Sequence, residues 1–124
     1  MIRRIVFIDD NPDFLDLVEQ ELRSDSFQII TILDKREKDL LAAIREASPD
    51  MIFLDVYLTS TETSELCSLL KSKDETKNVP LYLISFSDKS DTDRIAATVN
   101  ADGAFSKPLS KEQILELLQK HFPA

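Results

Sequence analysis

Apolar runs of strand length alternate with helical patterns five times along this chain, and that alternation restricts the fold more than any other feature. The first run, Ile5-Val6-Phe7-Ile8, is continuous, as expected for a strand covered on both faces. It stops at Asp9-Asp10-Asn11-Pro12, where Asn11 can cap a helix and Pro12 suits its first position, which needs no N–H. Phe14, Leu15, Val18 and Leu22 then recur at helical spacing until about Ser24. A β-branched run from Phe27 to Leu33 follows. The stripe Leu40, Leu41, Ile44 and Ala47 predicts a second helix that stops before Pro49.

Met51-Ile52-Phe53-Leu54 predicts a third buried strand ending on Asp55, and Leu66, Leu69 and Leu70 mark a third helix. Pro80 opens a fourth strand, Leu81 to Ile84, that ends at Ser85-Phe86-Ser87. A weaker helix from about Asp91 to Val99 presents Ile95, Ala96 and Val99, and Asn100 suits a left-handed stop. Ala104-Phe105-Ser106 predicts a short fifth strand before Lys107-Pro108. Ser110 and Gln113 then form a capping-box pattern ahead of Ile114, Leu117 and Leu118. Regular alternation of this kind implies an α/β fold with a parallel sheet and helices on both faces. Right-handed crossovers favour the flavodoxin-like (βα)5 arrangement with strand order 2-1-3-4-5. Residues 1–124 suit one domain, with no linker, repeat or low-complexity segment.

In such a sheet ligands bind beyond the carboxyl ends of the strands, at the switch point between the first and third. The residues falling there are Asp9 and Asp10, Asp55, Ser85 and Lys107, one group from each of four strand ends. Three carboxylates in one cleft repel one another unless some protonate or a cation joins them. Oxygen donors without nearby cysteine or histidine favour a hard ion, and Mg²⁺ fits best because it takes few carboxylates, several waters and a phosphate oxygen. The lone histidine, His121, lies near the C-terminus, away from this edge. A carboxylate neutralised in this way beside a lysine invites phosphoryl transfer: Asp55 would attack phosphorus, Lys107 would balance the equatorial oxygens, and Ser85 would donate to one of them. Taken singly, each residue has a duller reading, as a helix-end charge, a turn residue or a surface lysine. Only their joint placement on one edge outweighs those readings.

The formal net charge of -8 disfavours direct nucleic-acid or anionic-membrane binding. No window approaches the ~20 apolar residues a membrane helix needs, and no signal-peptide pattern opens the chain, so a cytoplasmic location is expected. The single cysteine, Cys67, excludes an intrachain disulfide and reads as a small buried hydrophobe.

The acidic pair in Ile8-Asp9-Asp10-Asn11, the acceptor in Phe53-Leu54-Asp55-Val56, the hydroxyl in Leu83-Ile84-Ser85 and the segment Gly103-Ala104-Phe105-Ser106-Lys107-Pro108 together resemble the receiver domain of bacterial two-component response regulators. The resemblance covers essentially the whole chain. It implies that Asp10 binds Mg²⁺ directly, with Asp9 helping directly or through water. Asp55 is then both ligand and phosphoacceptor, and the Tyr57 backbone carbonyl completes the protein ligands. It further implies that Lys107 pairs with the phosphate, that a cis bond precedes Pro108, and that Phe105 is the aromatic switch responding to Ser85. The phosphoryl donor would be a sensor histidine kinase or phosphotransfer protein. The output face would be the fourth helix, fifth strand and fifth helix, engaging a downstream protein target or an output domain absent from this chain.

Several positions depart from the family pattern. Thr59 and Thr63 stand where a proline and a glycine are common, so the run Thr59 to Thr63 should make the loop after the third strand locally different and mobile. Phe86 replaces the usual small residue after the switch hydroxyl, and Tyr57 and Ser87 flank the expected acyl phosphate. These departures predict restricted access to Asp55 and slow hydrolysis of its phosphorylated form. They also keep open a degenerate receiver-fold scaffold that signals by protein–protein contact without phosphorylation. An aspartate-nucleophile phosphatase would usually need a second aspartate where Tyr57 stands. A flavin site would not place Asp9-Asp10 against a phosphate. The expectation is therefore a signalling phosphoacceptor, not an enzyme acting on other molecules.

Overall fold

The computed structural model describes residues 2–123. Each apolar run becomes a strand and each periodic stripe a helix, in the order β1 (Arg3–Asp9), α1 (Pro12–Glu21), β2 (Phe27–Leu33), α2 (Glu37–Ala47), β3 (Met51–Asp55), α3 (Thr63–Ser72), β4 (Leu81–Ser85), α4 (Lys89–Thr98), β5 (Gly103–Ser106) and α5 (Lys111–His121). All four strand pairings are parallel and the order is β2-β1-β3-β4-β5, as the alternation predicts. β1 and β3 are neighbours, with Ile8 level with Leu54, so their carboxyl ends deliver Asp9 and Asp55 to the same edge.

Alternate residues of the strands feed two different cores, because successive side chains point to opposite faces. Val6, Ile8, Ile52, Leu54 and Leu83 pack with Leu40 and Ile44 of α2, Leu66, Cys67 and Leu70 of α3, and Ala96 of α4. That layer is aliphatic. On the other face Ile5, Phe7, Phe53, Tyr82 and Ile84 meet Phe14, Leu15 and Val18 of α1 and Ile114 and Leu117 of α5. Phe7 stacks on Phe53 at 4.8 Å and Phe53 on Tyr82 at 5.8 Å, which makes this layer aromatic. Burial holds the Cys67 thiol up at about 11, in keeping with a packing role.

The caps follow the sequence signals closely. Asn11 Oδ1 accepts from the Asp13 and Phe14 N–H groups with Pro12 in the first turn, and Ser110 and Gln113 complete a capping box. Asn100 takes a left-handed φ of 62° and the Lys107–Pro108 bond is cis. α2 stops before Pro49 as expected, and two other boundaries differ. α1 stops at Glu21 with Leu22 as its cap, short of Ser24. α4 begins at Lys89 because the Asp88 side chain caps it, ahead of the apolar stripe. α2 is closed by Ser48 in the left-handed region at φ 48°, one residue before the Pro49 stop.

Candidate functional site

Asp9, the last residue of β1, is fully buried, and Asp55, the last of β3, is only 5% exposed. With half-buried Asp10 they each offer a carboxylate oxygen, and these three oxygens lie within 4.8 Å of one another. Lys107, just past β5, reaches into the group: its Nζ stands 2.5 Å from Asp9 Oδ2 and 3.3 Å from Asp55 Oδ1, with its side chain only 5% exposed. The lysine's backbone is set by β4, since Lys107 N–H donates to the Ser85 carbonyl at 2.9 Å. Asp9 Oδ1 accepts from Asn11 N–H at 3.0 Å, which also orients the start of α1.

One ammonium cannot fully compensate three carboxylates, and the imbalance appears at Asp55. Its pKa is raised from 3.8 to about 6, first by burial and then by the Asp9 charge, against the lowering pull of Lys107 and the Tyr57 N–H. Asp9 Oδ2 is buried and, despite its closeness to Lys107, receives no well-directed hydrogen bond. An all-oxygen cluster of three carboxylates that share one ammonium fits a hard divalent cation, which would relieve the repulsion among them.

Ser85, buried at the end of β4, accepts from Ser87 N–H at 2.9 Å through its Oγ. Its own hydroxyl proton is not committed to an acceptor among the described residues. Phe105 is half-buried against Tyr82 at 5.4 Å and Phe53 at 6.4 Å. The Tyr57 side chain is 57% exposed. His121 is remote from this edge and faces the Tyr82 hydroxyl at 2.5 Å.

Two contributors, Phe14 and Asp34, carry no sequence signal of a site. Phe14 reads as an ordinary core position, yet its ring lies 4.5 Å from Lys107 Nζ, and Phe86 covers the same ammonium at 5.1 Å. The two rings meet edge to face at 5.9 Å, with Phe86 68% exposed, so aromatic faces shield the lysine from above. Asp34 lies directly after β2, and its Oδ2 accepts from the Thr59 and Ser60 N–H groups at 3.0 and 2.7 Å. Thr63 Oγ1 donates to the Val56 carbonyl at 2.7 Å. The loop after β3 is therefore bonded both to Asp34, at the end of β2, and back to Val56.

The sequence profile of the response regulator receiver domain matches residues 5–119, nearly the whole chain. This chain belongs to that family. As a receiver it is 27% identical over 121 residues to protein PilG of Pseudomonas aeruginosa, covering 98% of this chain and 88% of PilG. The chemotaxis response regulator CheY4 of Vibrio cholerae superposes with a TM-score of 0.78 at 20% identity, over 98% of this chain and 100% of that one. The phosphorylated cyanobacterial phytochrome response regulator RcpA superposes with a TM-score of 0.70 at 20% identity, over 97% and 91%. At these identities the solved structures establish the receiver fold. A receiver is a signalling module and not a classical enzyme. No helix among the described residues is long and apolar enough to cross a membrane.

Proposed function

We propose that this receiver accepts a phosphoryl group on Asp55 from a histidine kinase or phosphotransfer protein, in a Mg²⁺-dependent reaction. The observation that carries the reading is the meeting of Asp9, Asp10 and Asp55 within 4.8 Å beside a buried Lys107. Asp9, Asp10, Asp55 and the Tyr57 carbonyl would hold Mg²⁺, which when bound neutralises the carboxylates and polarises a phosphoryl oxygen. With its pKa at about 6, Asp55 is largely ionised near neutral pH and available as a nucleophile. Its carboxylate oxygen forms the new bond to phosphorus as the donor's phosphorus–nitrogen bond breaks, and that bonding pair leaves with the imidazole. Lys107 then exchanges its Asp9 contact for a phosphoryl oxygen, and the uncommitted Ser85 proton is donated to another. Phe105 moves in response, altering the α4–β5–α5 face that binds a downstream partner. Tyr57 and Phe86, beside the acyl phosphate, restrict water and lengthen its life.

Incubation with Mg²⁺ and a small phosphodonor, read by intact mass, should add one phosphoryl group to the wild type. Asp55→Asn, or removal of Mg²⁺ with a chelator, should abolish the gain. Phe86 lying over Lys107 also favours a second reading, a receiver-fold scaffold that is not phosphorylated. Mg²⁺ binding without any labelling, by small or protein donors, would support that alternative.

A further inference from the structure

The loop that leaves Asp55, residues 56–62, has no helix or strand to hold it, and it carries Tyr57. What fixes it comes from a different strand. Asp34 Oδ2 accepts from Thr59 N–H at 3.0 Å and Ser60 N–H at 2.7 Å, and faces Thr59 Oγ1 at 3.5 Å. The adjacent Lys35 carbonyl accepts from Thr61 Oγ1 at 2.9 Å. Asp34 is itself registered to the acidic pair, because its N–H donates to the Asp9 carbonyl at 2.8 Å. One residue therefore joins the backbone of Asp9, on β1, to the loop following β3.

That linkage has a chemical consequence. A small cation with near-octahedral demands needs its oxygen donors held at fixed separations, and donors on separate loops lose affinity when either loop wanders. We propose that Asp34 is a positioning residue for the cation site, holding the Tyr57 carbonyl in register with the Asp9 and Asp10 carboxylates. The inference rests on the reading of this cluster as a Mg²⁺ site. Asp34 does not touch the cation; it acts through the Thr59 and Ser60 amides. Charge-assisted bonds to backbone N–H groups are among the stronger ones available to a carboxylate, which makes a single residue sufficient.

The test is calorimetric titration of the full chain with Mg²⁺ alone, alongside thermal melts of the metal-free proteins. Asp34→Ala removes the acceptor and should raise the Mg²⁺ dissociation constant by about tenfold, the lower end of what outer-sphere partners contribute. Asp34→Asn keeps an acceptor oxygen with less charge, so it should give a smaller rise and also covers the case in which the alanine variant folds poorly. A purely structural role would lower the melting temperature of Asp34→Ala but leave the Mg²⁺ affinity of the folded protein unchanged, and that result overturns the proposal. Asn falling as far as Ala also overturns it, because bulk charge rather than the strap would then be responsible. A wild type that takes up no Mg²⁺ overturns the cation-site reading first, and the inference with it.

Discussion

The two loops on either side of Asp55 are built in opposite ways. The loop after β3 is bonded outward: to Asp34 by two amides, to the Lys35 carbonyl by Thr61, and back to Val56 by Thr63. The loop after β4 is bonded to itself, with Ser87 N–H on Ser85 Oγ and Ser90 on Asp88, while Phe86 projects at 68% exposure. Fixed loops position, and loops held only by local bonds can rearrange at low cost. Asp55 thus sits between a wall, the loop bonded to other elements, and a cover, the loop that carries Ser85 and Phe86.

The sharpest way to break this arrangement is to remove the group on which both sides converge. Lys107→Met takes the buried ammonium from between Asp9 and Asp55, at 2.5 and 3.3 Å, and leaves two carboxylates facing each other. Losing one partner of a buried ion pair typically costs about 3–5 kcal/mol. Urea denaturation in chelator at pH 7 should show a loss of that order. The loss should shrink as the pH falls and the carboxylates protonate.

The next effect has the opposite sign. Burial and the Asp9 charge push the Asp55 carboxyl from its ordinary 3.8 up to about 6 in the fold. Between those values the folded state holds more protons than the unfolded one, so stability falls as pH rises through the window and stays lower above it. A displacement of that size corresponds to about 2–3 kcal/mol at neutral pH, as an upper bound. Asp55→Asn should therefore be more stable than wild type at pH 7 without metal. The gain should vanish toward pH 4, and Mg²⁺ should stabilise the wild type more than the variant. Equal denaturation midpoints at pH 7 would show that Asp55 is not under electrostatic strain.

Much of this layout is legible in the sequence because its causes are local. Asn11-Pro12 and Ser110 with Gln113 announce helix starts through backbone groups a few residues away. Continuous apolar strands force the parallel order, and that order alone carries Asp9, Asp55 and Lys107 to one edge. The rest is illegible where the cause lies far along the chain. Phe14 belongs to a helical apolar stripe whether its ring meets the core or Lys107. Asp34 looks like any carboxylate at a strand end, because its partners stand 25 and 26 residues later. Ser48 closes α2 in a left-handed conformation that serine does not advertise, and the neighbouring Pro49 offered a sufficient reason for the stop.

The wall itself can be tested at Thr63, whose hydroxyl is buried and bonded to the Val56 carbonyl at 2.7 Å. Thr63→Val keeps the shape, removes the donor and leaves that carbonyl short of a partner. The expected cost is about 1 kcal/mol in the denaturation midpoint, with faster amide exchange confined to the loop after β3. Exchange that accelerates equally in the loop after β4 would mean the two sides are not independent.

The cover should show the smallest effect on stability and the clearest separation of stability from access. The Phe86 ring is mostly in solvent, so Phe86→Ala should change stability by no more than about 0.5 kcal/mol. Its underside, however, lies 5.1 Å from the Lys107 ammonium, beside the Phe14 ring at 4.5 Å. Removing the ring opens Lys107 to water and reagents, so amine-directed acylation read by peptide mass should modify Lys107 faster in Phe86→Ala than in wild type. Phe86→Trp restores a face with stronger attraction for a cation and should return the rate toward the wild-type value. If all three proteins react alike, Phe86 is a bystander on the surface and the loop after β4 has no cover. If only alanine reacts faster, the ring is what closes that side of the Asp55 cluster.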